Sequence, residues 1–222
     1  MEQENQVWIH LPVGLLHNIE AMRILIACEQ SQVVTQAFIN KGHDAMSCDL
    51  EYDGALGLPH YKGDVMDIIF DGWDMMIAFP PCTHLAVSGA KHFEKKRQNG
   101  QQQEGIDFFM ALWNAPIPKK CLENPVGIMS GILRPPDQII QPYYFGDPFQ
   151  KTTCLWLKNL PPLFHAGEKD LFNETVTHTH KGEFVTTPSG KRLPKWYSDN
   201  KNPKIRSKTF PGIANAMAEQ WG

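Results

Sequence analysis

The chain has 222 residues, 42% of them hydrophobic and 20% charged, which is enough apolar material for one well-filled core with ordinary surface charge. A net charge of -3 gives no global sign of a nucleic-acid binder, so any basic surface must be local. No apolar run approaches the roughly 20 residues that a membrane span requires, and no basic-then-apolar leader opens the chain, so a cytoplasmic protein without a membrane partner is expected.

The segment 1–21 has no clear hydrophobic period and reads as an N-terminal extension; Met22 is a candidate natural start. Arg23 to Cys28 then reads as a buried strand. After a turn over Glu29 to Gln32, the spacing of Val33, Val34, Ala37 and Phe38 predicts a helix that Gly42 ends. Asp44 to Cys48 is a second strand closing on Asp49, and Tyr61 to Val65 holds a brief third ending near Asp64. Trp73 to Phe79 is a stronger strand running into Pro80-Pro81-Cys82. Ile106, Phe109, Met110 and Trp113 share one helical face, and Lys120 to Leu122 form a fifth strand stopping at Glu123-Asn124-Pro125.

Strands alternating with helices at these intervals predict an α/β fold with a mostly parallel sheet and helices on both faces. Beyond Ile132 prolines break the chain into short pieces, of which Thr152 to Lys158 is the best strand. Residues 164–204 read as an irregular excursion with a hairpin near Pro188-Ser189-Gly190, and Gly212 to Trp221 as a closing helix. The domain reading is therefore an extension (1–21), a core (22–163), an insert (164–204) and a C-terminal segment completing the core (205–222).

Five cysteines without a CxxC pair suit neither a disulfide framework nor a structural zinc site. His178-Thr179-His180 is at most half a metal site, and no metal is expected. Trp113, Trp156 and Trp221 are expected to pack in or beside the core. From Lys181 to Lys208, eight basic residues, including Lys191, Arg192, Lys195 and Arg206, are interleaved with Phe184, Trp196 and Tyr197. This pattern reads either as a nucleic-acid contact or as a solvated loop.

In an open α/β sheet, ligands bind at the carboxyl ends of the strands. That rim collects Ala27, Cys28, Glu29, Gln30 and Ser31 after the first strand, Asp49 after the second, Asp64 after the third, Cys82 after the fourth and Glu123 after the fifth. Asp49 is placed to accept hydrogen bonds from ribose hydroxyls.

The run Asp74 to Cys82 resembles the Pro-Cys nucleophile loop of the cytosine-C5 DNA methyltransferases, and Glu123-Asn124-Pro125 resembles their Glu-Asn-Val motif. Ile24 to Ser31 stands in the place of their cofactor loop, and Gly212 to Ala216 is similar to their closing Gly-Asn-Ala-Val segment. The chain looks most like the short phage and prophage members. The resemblance implies a Rossmann-like class I methyltransferase fold and S-adenosyl-L-methionine as cofactor, held by residues 27–31, Asp49, Asp64, Pro80 and Asn215. It also implies Cys82 as covalent nucleophile and Glu123 as hydrogen-bond donor to the cytosine ring. Pro81, Thr83, His84, Ser88, Asn124, Pro125, Lys151 and Thr153 are then expected around the substrate. Lys191, Arg192, Lys195, Trp196 and Arg206 would lie along duplex or single-stranded DNA.

Three departures from the family pattern stand out. The cofactor loop has no glycine. The arginine-rich strand motif is replaced by Gln150 to Trp156, where Lys151 and Thr153 stand in partly. No large recognition domain is present, which leaves RNA or a free cytosine nucleotide as alternative substrates, while the glycine-free cofactor loop leaves a catalytically silent nucleic-acid or nucleotide binder as a further alternative.

Overall fold

The computed structural model describes residues 20–52, 56–165 and 179–222. His178 and most of the expected extension 1–21 lie outside the described residues, as does part of the insert.

Strands β1 (Arg23–Ala27), β2 (Asp44–Asp49), β3 (His60–Lys62), β4 (Met75–Ala78) and β5 (Lys119–Asn124) run parallel. The last two strands of the sheet are β6 (Gln138–Ile140) and β7 (Thr153–Lys158), and the order across the sheet is β3-β2-β1-β4-β5-β7-β6. This is the doubly wound order 3-2-1-4-5-6 with β7 inserted antiparallel between β5 and β6. The expected α/β class with a mostly parallel sheet is what the chain adopts.

Residues alternate between two apolar layers along each buried strand. Ile24 and Ile26 of β1 face one side, against Val34 and Phe38 of α1 (Val33–Asn40) and Ile213, Met217 and Trp221 of the closing helix. Leu25 and Ala27 face the other side, against Val65, Ile69 and the long helix bearing Phe109 and Leu112. These strands are covered on both faces, so they read as continuous apolar runs.

Several boundaries differ from the sequence reading. The third strand is shorter than expected, and Asp64 lies beyond it, where its side chain accepts the Met66 N–H and caps a 3-10 turn over Val65–Asp67. The polar stretch before the long helix folds as α2 (Phe93–Gln98), separated from α3 (Gln101–Asn114) by Gly100. β6 and the single-turn helix α4 (Met129–Ile132) were not foreseen. The predicted hairpin is present as β8 (Phe184–Thr186) and β9 (Arg192–Pro194), followed by α5 (Lys195–Asp199) and α6 (Pro203–Ser207). The closing helix α7 spans Pro211–Trp221.

Trp156 and Trp221 are buried as expected, while Trp113 is half-buried under the cations of Lys120 and Arg134. Lys120 is fully buried, and its ammonium donates to the Trp113 and Ala115 carbonyls at the end of α3, so a lysine caps that helix from inside the core.

Candidate active site at the carboxyl rim

The rim divides at the end of β4. On one side, a cavity of about 350 Å³ opens between the ends of β1, β2 and β3, within the roughly 300–1,000 Å³ range of small-molecule clefts. Asp49 and Leu50 from the end of β2, and Gly63, Asp64 and Val65 after β3, line it with Cys28 and Cys48. Phe108 of α3 and Pro81 form the remaining wall. Leu50 is 71% exposed, an unusual state for a leucine directly after a strand, so the cleft offers an uncovered apolar face beside two carboxylates.

The loop after β1 has no glycine, yet Cys28 and Gln32 both adopt left-handed backbone, with φ of 60° and 57°. Each costs about 1 kcal/mol in a non-glycine residue. Two buried side chains hold this shape. The Glu29 carboxylate accepts the backbone N–H groups of Val34 (2.7 Å) and Thr35 (3.2 Å) and the Thr35 hydroxyl (2.7 Å). The Gln32 amide donates to Ser47 Oγ (2.9 Å) and the Leu58 carbonyl (3.2 Å).

Of the residues expected at the cofactor, Cys28, Asp49 and Asp64 line the cleft. Ala27 is buried in β1 and its carbonyl accepts the Phe79 N–H. Glu29 is a correction: it is 4% exposed and spent on the N-terminus of α1. Gln30 and Ser31 are half-buried and stand outside the lining. Asn215 is exposed on α7, which packs against α1, and it stands outside the cleft lining. Gly212 earlier in that helix has a local reason, since the Phe145 carbonyl lies where a side chain would begin and Asp147 accepts the Gly212 N–H at 2.7 Å.

On the other side of β4 stand Cys82 and Glu123, both half-buried. Asn124, 2% exposed, donates from its amide to the Pro80 carbonyl at 2.7 Å and so ties the end of β5 to the Pro80-Pro81-Cys82 loop. Pro80 is buried beneath this clamp, whereas Pro81, expected at the substrate, faces the cleft. The loop after Cys82 is bound across to the Pro125 turn. Val87 N–H donates to the Val126 carbonyl, Ile128 N–H donates to the Leu85 carbonyl, and Gly127 leaves room for that approach. Thr83, His84 and Ser88 therefore sit on a loop pinned at Leu85 to Val87; Ser88 and Thr83 are exposed and His84 is half-buried.

Because β7 runs antiparallel, its beginning rather than its end meets the rim beside Glu123. Glu123, Lys151 and Thr153 line one small recess with Phe210, Ile213 and Met217. Burial raises the Glu123 carboxyl above its ordinary range, while Lys151 and the Thr153 hydroxyl oppose that rise. Burial also raises the Cys82 thiol and Glu123 raises it further; Lys151 and Lys96 pull it back. The other four thiols, Cys28, Cys48, Cys121 and Cys154, are raised by burial and carboxylates or a neighbouring thiol, without an opposing cation. Cys82 thus differs from the other four thiols in having cations that oppose the rise, although its thiol still stands above the ordinary value.

The basic insert is more structural than its composition predicts. The Trp196 indole N–H donates to the Gln150 carbonyl (2.9 Å), and its ring packs among Phe149, Tyr197 and Phe210. It is therefore an anchor rather than a stacking platform. Arg206 lies 3.7 Å over the Tyr197 ring and donates to the Asn200 and Tyr197 carbonyls, and Lys195 pairs with Glu183. Lys191, just before β9, and Arg192, its first residue, are exposed, with Arg192 over the Phe184 ring. Sequence reasoning missed Lys96, Leu50, Val65 and Phe108; only the position of Leu50 directly after a rim aspartate could have signalled its place. No protein-family model matches the chain, and no curated protein is detectably similar to it.

Proposed function

We propose that this chain is an S-adenosylmethionine-dependent methyltransferase with a class I sheet, acting on carbon 5 of cytosine in nucleic acid through a covalent bond to Cys82. The observation that carries this reading is the shared recess of Glu123, Lys151 and Thr153 at the rim, with Cys82 close enough to feel the charges of Glu123 and Lys151, while Pro81 next to Cys82 lines the 350 Å³ cleft. The cleft fits the cofactor in size and character. Asp49 offers acceptors for ribose hydroxyls, and Leu50, Val65 and Phe108 offer apolar surface for a purine.

Cytosine carbon 5 becomes nucleophilic only when a group adds to carbon 6. The Cys82 sulfur forms that bond after losing its proton to solvent, aided by the positive charge of Lys151 and Lys96. Glu123, whose burial favours the protonated carboxyl, donates a hydrogen bond to ring N3 and stabilises the charge that collects there. Thr153 and Lys151 hold the carboxyl in place. When bound, S-adenosylmethionine supplies the electrophilic methyl group that carbon 5 takes up. Loss of the carbon-5 proton then expels Cys82 and restores the ring. In a duplex, the base must first leave the stack to reach Cys82.

Incubation with the radiolabelled methyl donor and, in parallel, duplex DNA, single-stranded DNA, RNA and deoxycytidine monophosphate tests the reading. Label recovered as 5-methylcytosine supports it. Absence of label from every pool contradicts it and favours a silent binder.

A further inference from the structure

The chain that leaves Cys82 is fastened from two sides. Toward β5 the ties are backbone hydrogen bonds to the Pro125 turn, whereas toward α2 and α3 they come from side chains. Together they occupy four successive carbonyls. The Cys82 carbonyl accepts the N–H groups of Leu85 (3.0 Å) and Ala86 (2.9 Å), which closes a tight turn, and the Leu85 carbonyl accepts the Ile128 N–H. Between them, the Thr83 carbonyl accepts the Lys96 ammonium of α2, and the His84 carbonyl accepts the Gln102 amide of α3 at 3.3 Å.

Both donors depart from the pattern of their helices. Gln102 is 6% exposed and shares the core-facing side of α3 with Phe109 and Leu112, a place where an apolar side chain is ordinary and an amide needs a partner. One turn further on, a Cβ at Gly105 would stand 3.3 Å from the Leu85 side chain and 3.4 Å from that of His84, so α3 approaches the turn closely. Lys96 is half-buried between the exposed Lys95 and Arg97, and its ammonium passes Gly89 to reach the turn. A charged donor makes the stronger kind of hydrogen bond.

We infer that Lys96 and Gln102 are positioning residues: through the Thr83 and His84 carbonyls they fix the turn that carries Cys82, so that its sulfur is aimed by the chain itself rather than by the substrate. The inference rests on the proposed chemistry at Cys82. A turn fixed in advance spares the attack step the entropy of ordering the loop. Lys96 has a second effect that Gln102 lacks, since its charge opposes the rise that burial and Glu123 impose on the Cys82 thiol. Substitutions at the two residues therefore separate geometry from charge.

The test uses two readouts that need no methyl transfer: hydrogen exchange at the Leu85 and Ala86 amides, and the pH dependence of Cys82 alkylation by iodoacetamide, with the modified cysteine assigned by peptide mass analysis. Lys96→Met keeps the stem but removes donor and charge. It raises exchange roughly tenfold, the loss expected for one charge-assisted hydrogen bond, and moves the alkylation profile to higher pH; Lys96→Arg restores both. Gln102→Leu raises exchange about threefold and leaves the alkylation midpoint at its parent value. Lys95→Ala, on the exposed side of α2, changes neither. Unchanged exchange in both Lys96→Met and Gln102→Leu overturns the inference, as does an equal response to Lys95→Ala. A turn that loosens as expected in a chain that methylates no cytosine refutes the reaction alone. Formation of 5-methylcytosine at the parent rate by both loosened variants refutes the positioning alone.

Discussion

The two halves of the carboxyl rim reach their shape by different means. Around the cleft, backbone conformation does the shaping: Cys28 and Gln32 take left-handed geometry without glycine, supported from behind by Glu29 and Gln32. Around Cys82, side chains do it: Asn124 clamps Pro80, and the reversed β7 delivers Lys151 and Thr153 to Glu123. The loop after β1 thus holds a tight turn without glycine, because several residue types can be held in one backbone shape. The corner at Glu123 depends instead on the side chains themselves.

That contrast can be broken from either side. On the catalytic side, Glu123→Gln should cut methyl transfer by roughly 100- to 1,000-fold with cofactor binding intact, because the amide cannot share an acidic proton with the ring. Steady-state rates beside calorimetric cofactor titrations separate the two effects. On the cleft side, Glu29→Ala should leave buried donors at the start of α1 without an acceptor and cost about 3 kcal/mol of stability, seen as a lower thermal midpoint.

Lys151→Ala sharpens the electrostatic part. The Cys82 thiol already stands above its ordinary value, so the parent rate should climb as pH rises above neutral and more thiolate forms. Removing the cation raises the thiol further and moves the profile to higher pH. The loss should be largest near neutral pH and shrink at alkaline pH, where thiolate forms in either protein. A loss equal at every pH would assign Lys151 to substrate binding alone. The smallest effect is Cys28→Gly, which should raise stability by up to about 1 kcal/mol by relieving the left-handed residue. A large destabilisation would mean that the thiol, not the backbone, holds the loop.

Much of the fold is legible because buried parallel strands read as apolar runs that a change of composition ends, Cys28-Glu29 after Arg23–Ala27 and Pro80-Pro81 after Met75–Ala78. Elements of three or four residues, such as Gln138–Ile140 and Met129–Ile132, are too short to show a period. The direction of Thr153–Lys158 was hidden as well, since an apolar run carries no sign of polarity, yet that reversal sets Lys151 beside Glu123. Glu29 misled because a carboxylate in a rim loop reads as a ligand contact, whereas its partners, the N–H groups of Val34 and Thr35, belong to the next helix. Trp196 misled for the matching reason: an aromatic ring among lysines looks alike whether it stacks on a base or on Phe149 and Phe210.

The central claim is the covalent bond at Cys82, and an oligonucleotide bearing 5-fluorocytosine, incubated with the chain and S-adenosylmethionine, tests it most directly. Fluorine at carbon 5 cannot depart as a proton does, so the sulfur–carbon bond is trapped after methyl transfer. Intact-mass and peptide analysis should find the oligonucleotide attached at Cys82 and no adduct with Cys82→Ser. An adduct on another cysteine, or 5-methylcytosine formed from ordinary DNA by Cys82→Ser at the parent rate, would contradict the account.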